Sequence, residues 1–133
     1  MAEKIQFELV SPAKLLVSSA VDMVVVPGTE GDFGALPRHA PLIATVRPGV
    51  IDVHDEGKVS TRIFVAGGFA EVNEERITVL AEEAIPVAEL TAEQVAERLK
   101  AAQEAVADAR TDAEKAAAEQ RVAIAVAMQA AAA

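Results

Sequence analysis

From Lys4 to about Ala88 the apolar positions recur with a period near two, and after Thr91 the period shifts to three and four. Ile5, Phe7 and Leu9 alternate with Gln6 and Glu8, the signature of a half-buried strand. Leu15-Leu16-Val17 and the run Val21 to Val26, ended by Pro27-Gly28, read as further strands. Leu42 to Val46 stops at Arg47-Pro48-Gly49, and Val50-Ile51-Asp52-Val53 follows at once. Asp55-Glu56-Gly57 marks a hairpin before Val59 to Ala66. Gly67-Gly68 interrupts the apolar run and predicts a bulge or a close backbone approach. Phe69 to Val72 and Ile77 to Leu80 flank a second turn, Asn73-Glu74-Glu75-Arg76. Short strands separated by turn residues predict an antiparallel sandwich or barrel over 1–86.

Residues 87–133 read as an alanine-rich helical hairpin. Thr91-Ala92-Glu93-Gln94 has the form of a capping box, and Thr111-Asp112-Ala113-Glu114 repeats the start signal. Val95, Leu99, Ala102 and Val106 define the expected inner face of the first helix. Ala113, Ala117, Ile124 and Met128 define a thinner stripe on the second. A connector around Asp108 to Asp112 predicts antiparallel helices. An alanine seam removes little apolar area from water, so high helix propensity must supply part of what packing does not.

Composition narrows the function. Hydrophobic residues make up 52% of the 133, but aromatics only 3%, and much of the apolar count after Thr91 is Ala. The large core formers therefore lie in the first two-thirds. A net charge of −9 with no basic run argues against nucleic acid, whose phosphates call for Lys and Arg clusters. The absence of Cys excludes disulfides, thiolate catalysis and Cys-ligated zinc. The alternating, polar start at Met1-Ala2-Glu3-Lys4 does not read as a signal peptide. The apolar stretch Val122 to Ala133, broken by Gln129, falls short of the ~20 residues a membrane span needs.

Candidate chemistry is sparse. Gly28-Thr29-Glu30-Gly31-Asp32-Phe33-Gly34 lacks the Gly-Lys-Ser/Thr ending of a phosphate loop. From the residues alone it reads as an irregular glycine loop with Glu30 and Asp32 solvated, the alternative being a dedicated contact loop. His39 and His54 have no ligand-like spacing for zinc, so no metal site is expected. No Gly-x-Ser-x-Gly elbow accompanies Ser11, Ser18 or Ser19, and Glu82-Glu83 reads as a solvated strand end. Nothing here assembles an enzyme, and no cofactor is expected.

Three stretches resemble the epsilon subunit of F-type ATP synthases. They are Pro27 through Leu42, with the acidic Gly-rich loop running into His39-Ala40-Pro41; Arg47-Pro48-Gly49-Val50-Ile51; and Val65-Ala66-Gly67-Gly68-Phe69-Ala70-Glu71-Val72 with Ile77-Thr78-Val79-Leu80-Ala81. With the terminal helix pair, the resemblance spans nearly the whole chain. It implies a flattened sandwich of about ten strands followed by two antiparallel helices. It further implies a non-catalytic central-stalk subunit that joins the gamma subunit to the c-ring and couples proton translocation to ATP synthesis. By motif match the c-ring contact falls on Glu30, Gly31 and Asp32, and a gamma and c-ring contact on His39 and Val50. The place implied is peripheral, on the cytoplasmic face of the bacterial inner membrane, with the terminal helices able to reach the alpha and beta subunits.

In some relatives those helices regulate hydrolysis, and a Leu/Ile-Asp-x-x-Arg-Ala motif binds ATP. Here the stretch is Leu90-Thr91-Ala92-Glu93-Gln94-Val95, with Thr and Gln in place of Asp and Arg. Lys115 and Arg121 are the basic residues of the second helix, which predicts weak inhibition. The competing reading is a small-ligand or nucleotide-sensing module with the helix pair as sensor.

Overall fold

The computed structural model describes residues 3–132. Contacts divide them into two units, the first ending at Pro86 and the second starting at Val87.

The first unit holds β1 (Ile5–Ser11), β2 (Lys14–Val21), β3 (Met23–Gly28), β4 (Gly31–Ala35), β5 (Leu42–Val46), β6 (Gly49–Asp55), β7 (Lys58–Val65), β8 (Gly68–Val72), β9 (Arg76–Ala81) and β10 (Ala84–Pro86). They form one ten-stranded hydrogen-bonded sheet in the order β10-β7-β6-β3-β5-β8-β9-β1-β2, with β4 paired to β3 outside that path. Every pairing is antiparallel except that of β1 with β9. In a flat sheet β2 and β6 would stand six strands apart, ~29 Å. They pack against each other instead, so the sheet folds over into two layers.

Alternation explains what fills the space between the layers. Ile5, Phe7 and Leu9 of β1 are buried completely, while the residues between them are not. Val24 and Val26 of β3, Ile51 and Val53 of β6, Ile63 and Val65 of β7, and Ile77 and Val79 of β9 join them in one apolar cluster. Each strand contributes every second residue, as period-two patterning requires.

Turn chemistry sets the register. At the β6–β7 hairpin, Asp55 opposes Lys58, and the two loop residues Glu56 and Gly57 both take positive φ, at 53° and 78°. That is the twist a two-residue hairpin loop favours. Asn73 Oδ1 accepts the Glu75 and Arg76 N–H groups, each at 2.9 Å, closing the β8–β9 turn. Gly68 has φ 146°, and a Cβ there would lie 2.0 Å from the Leu80 carbonyl oxygen. Only glycine allows β8 to pass β9 this closely, as the glycine pair predicts.

Two expectations need correction, and one strand is additional. The run Val21 to Val26 is two strands, because Asp22 bends the chain: its N–H donates to the His54 carbonyl (3.0 Å) and its carboxylate accepts the Glu56 N–H (2.8 Å). The segment Gly28 to Gly34 is not an irregular loop but the turn and second strand of a hairpin. Ala84–Pro86, unread in the sequence, pairs with Val65, Phe64 and Ile63 of β7.

The second unit opens with a 3-10 turn at Val87–Glu89, followed by α1 (Ala92–Asp108) and α2 (Asp112–Ala132). The capping box at α1 is complete: Thr91 Oγ1 accepts the Gln94 N–H (3.2 Å), and Gln94 Oε1 accepts the Thr91 N–H (3.4 Å). At α2, Thr111 Oγ1 accepts the Glu114 N–H (3.1 Å) and the Glu114 carboxylate takes the Arg110 N–H (2.9 Å). On α1, Val95 and Ala102 are buried and Leu99 and Val106 half-buried, the face expected. On α2 the buried residues are Ala118, Ala125, Met128 and Ala131. Ala113 and Ala117 are exposed and Ile124 half-buried, so of the expected stripe Met128 alone is fully covered.

Candidate functional site

Two surfaces of the first unit stand out once the register is known. The first is the β3–β4 hairpin. Val24 pairs with Ala35 and Gly28 with Gly31, which leaves Thr29 and Glu30 as a two-residue tip. Gly31 has φ 129°, a conformation open to glycine and strained for other residues. At its base the tip is tied to the neighbouring strand: Gly28 pairs with Val46, the Thr29 N–H donates to the Thr45 carbonyl (2.9 Å), and the Arg47 N–H donates to the Pro27 carbonyl (2.9 Å). Beyond that point β3 ends while β5 continues back to Leu42. A cleft of about 470 Å³ opens there, lined by Gly28 to Phe33 and Leu42 to Thr45.

The acidic groups of the tip differ. Arg47 Nη2 donates to Asp32 Oδ1 at 2.6 Å, and Arg47 Nη1 donates to the Gly28 carbonyl. Glu30 is exposed and makes no hydrogen bond or ion pair among the described residues.

Glu30, Gly31 and Asp32 therefore line one cleft, and His39 and Val50 do not. His39 sits in the segment between β4 and β5. Its N–H donates to the Leu36 carbonyl (3.1 Å), and its Nδ1 lies 2.6 Å from the Ala40 carbonyl. Arg38, at φ 66°, anchors the same segment through its N–H to the Glu74 carbonyl (2.8 Å) and its guanidinium to Glu3 (2.6 Å). Val50 is half-buried on β6, opposite Phe64 of β7.

The second surface was not singled out in the sequence. Phe69 pairs with Leu80, Leu80 with Val10, and Val10 with Leu15, so four adjacent strands place apolar side chains in one row. Leu15, Phe69 and Leu80 are each more than half exposed, at 56%, 58% and 54%. Ile43, 76% exposed, stands two residues from Thr45, which opposes Phe69. Such a row gathers exposed apolar side chains on the outer face of a sheet, where they are more often scattered singly. Its signal in the sequence is the outward phase of Phe69 against Ala70 and Val72, and of Leu80 against Val79 and Ala81. Register alone puts these positions side by side.

Elsewhere Lys4 holds Asp55, Glu56 (3.1 Å) and Asp22 (3.6 Å) together. Hydrogen bonds to Asp55 and then Glu56 raise its pKa above the ordinary lysine value. In the second unit, the two positions where the ATP motif would place Asp and Arg are Thr91 and Gln94, and both side chains are engaged in the helix cap.

Residues 4–87 match the family described as the ATP synthase, Delta/Epsilon chain, beta-sandwich domain. The ATP synthase epsilon chain of Paramagnetospirillum magneticum is 75% identical over 131 residues, covering 98% of both chains. That of Rhodospirillum rubrum is 62% identical over the same length and coverage. This chain belongs to the ATP synthase epsilon family. Among solved structures, a chain of the Euglena gracilis mitochondrial ATP synthase, in an assembly of OSCP, F1 and c-ring, matches at TM-score 0.81 and 26% identity, over 98% of this chain and 82% of that one. A chain of the central stalk and c-ring of the Tetrahymena thermophila mitochondrial ATP synthase shares the fold at TM-score 0.74 and 15% identity, over 98% of both. The epsilon fold is thus the expected sandwich followed by two helices.

Proposed function

We propose that this epsilon chain is a non-catalytic rotor element, fastened to the gamma subunit by its outer apolar row and touching the c-ring with its β3–β4 hairpin. The row Val10, Leu15, Phe69 and Leu80 carries this reading. Three large side chains more than half exposed in register across four strands leave apolar surface in water that a partner would cover. The reading is supported by the assembly of OSCP, F1 and c-ring in which a chain of this fold was solved at 26% identity.

The hairpin is the polar counterpart. Glu30, Gly31 and Asp32 at the cleft are assigned to the c-ring, and the negative charge there suits a basic partner loop. His39 and Val50 are assigned to the gamma and c-ring contact on the family resemblance. Such a subunit transmits torque between proton translocation and ATP synthesis without reacting groups of its own. Peripheral attachment at the cytoplasmic face of a bacterial inner membrane is assigned on the family resemblance; among the described residues no helix is long and apolar enough to cross a membrane. The terminal helices, with Lys115 and Arg121 as the basic residues of α2, are assigned a weak regulatory contact with the alpha and beta subunits. With Thr91 and Gln94 committed to the cap, calorimetry with ATP is expected to show no micromolar binding; binding at that level would favour the nucleotide-sensing reading.

The test is recovery of gamma and c subunits with the tagged full chain from solubilised membranes. Phe69→Glu is expected to abolish recovery of gamma while circular dichroism of the purified chain stays unchanged. Undiminished recovery by that variant would overturn the assignment of the row.

A further inference from the structure

We infer that Arg47 is the positioning residue of the acidic hairpin, and that Glu30 alone supplies the charge the hairpin offers to a cationic partner loop. This rests on the reading of the hairpin as a contact, and it changes which residues make that contact. The Arg47 guanidinium bridges the two arms of the hairpin, donating to the Gly28 carbonyl on β3 and to the Asp32 carboxylate on β4 at 2.6 Å. Its own main chain is held by the Pro27 carbonyl at 2.9 Å, so the bridge starts from a fixed point. A planar fork of donors spans two acceptors in a way the single ammonium of lysine does not.

Two consequences follow from this bridge. Asp32 is already paired, and a partner cation approaching it meets the charge of Arg47 as well. Glu30, two residues from each of the bridged Gly28 and Asp32 and exposed, has no such partner among the described residues. The tip is also set before a partner arrives, so less conformational freedom is lost on binding.

The experiment uses the full chain and a solubilised gamma–c-ring subcomplex stripped of this subunit, with rebinding followed against salt concentration. Glu30→Gln is expected to weaken rebinding about fivefold, near the upper end for one exposed ion pair, and to flatten its salt dependence. Arg47→Met and Asp32→Asn are each expected to weaken it less. Their double variant is expected to be no worse than the worse single one, and Arg47→Lys to recover part of the loss. Amide relaxation on the isolated chain reads the positioning separately: Arg47→Met is expected to mobilise Thr29 and Glu30, and Glu30→Gln to leave them ordered. If Asp32→Asn costs as much as Glu30→Gln and adds to it, while the tip amides ignore Arg47→Met, the inference is overturned and Asp32 is itself a contact acid. If Arg47→Met mobilises the tip but Glu30→Gln binds like the wild type, the reading of the hairpin as a contact fails, while Arg47 still positions the tip.

Discussion

The two units reach the folded state by different means. In the β unit, Phe7, Ile5, Leu9, Ile51 and Ile77 are buried completely and drawn from strands distant in sequence. In the helical unit the buried residues are Val95, Ala102, Ala118, Ala125, Met128 and Ala131. An alanine methyl removes far less apolar area from water than a Phe or Ile side chain, at ~25 cal/mol per Å². The helical unit therefore depends more on propensity and on its caps, each side chain of which satisfies an otherwise orphaned donor. Stability determined by long-range burial is robust to surface change; stability determined by caps is local and easily tuned.

Substitutions of decreasing severity test this contrast. Phe7→Ala, at a fully buried site in the middle of β1, is expected to cost about 4 kcal/mol. Urea unfolding followed by circular dichroism would show the strand signal lost first; a cost below that of any helix substitution would break the comparison. Met128→Ala, the largest side chain buried on α2, is expected to cost about 2 kcal/mol. Its loss is expected in the helical signal, with amide exchange of β1 and β9 unchanged. Thr91→Ala removes one half of the capping box and is expected to cost about 1 kcal/mol. Hydrogen exchange localised to the first turn of α1 checks it, and protection lost evenly along the helix would contradict a purely local role.

The smallest effect concerns Lys4. Its pKa is raised by hydrogen bonds to Asp55 and then Glu56. A cation whose folded value lies above the unfolded one contributes stability that is complete below the unfolded value, about 10.4. That contribution is lost as pH rises through the raised value. Lys4→Met is therefore expected to lower the melting temperature slightly and equally from pH 6 to 9, with the difference from wild type narrowing only in strong alkali. A difference already varying between pH 6 and 9 would show that another group is responsible.

Much of this was legible along the chain. β1 alternates at Ile5, Phe7 and Leu9, β6, β8 and β9 are short apolar runs bounded by turn residues, and both helix starts carry an explicit cap signal, so neighbouring residues alone report them. β4 was not legible. Gly31, Asp32 and Gly34 have poor strand propensity, and the strand exists because β3 offers it a pairing edge. The bend at Asp22 was hidden within a β-branched run, since its cause is a pair of hydrogen bonds to the distant β6–β7 hairpin.

The acidic hairpin and the glycine pair were visible as residue types in order, and their spacing pointed to the epsilon family. Their sequence did not say that Asp32 is bound by Arg47, fifteen residues away. On α2 alanine occupies so many positions that several faces are equally apolar, and packing against α1 selected Ala118, Ala125, Met128 and Ala131 rather than the expected stripe. The exposed row of Leu15, Val10, Leu80 and Phe69 likewise arises when four strands align. The sequence by itself determined the periods, the turns and the caps, because each depends on residues a few positions apart. Tertiary structure decided which faces meet, which acid stays free and where apolar side chains gather, because those depend on pairing between segments whose separation along the chain carries no local signal.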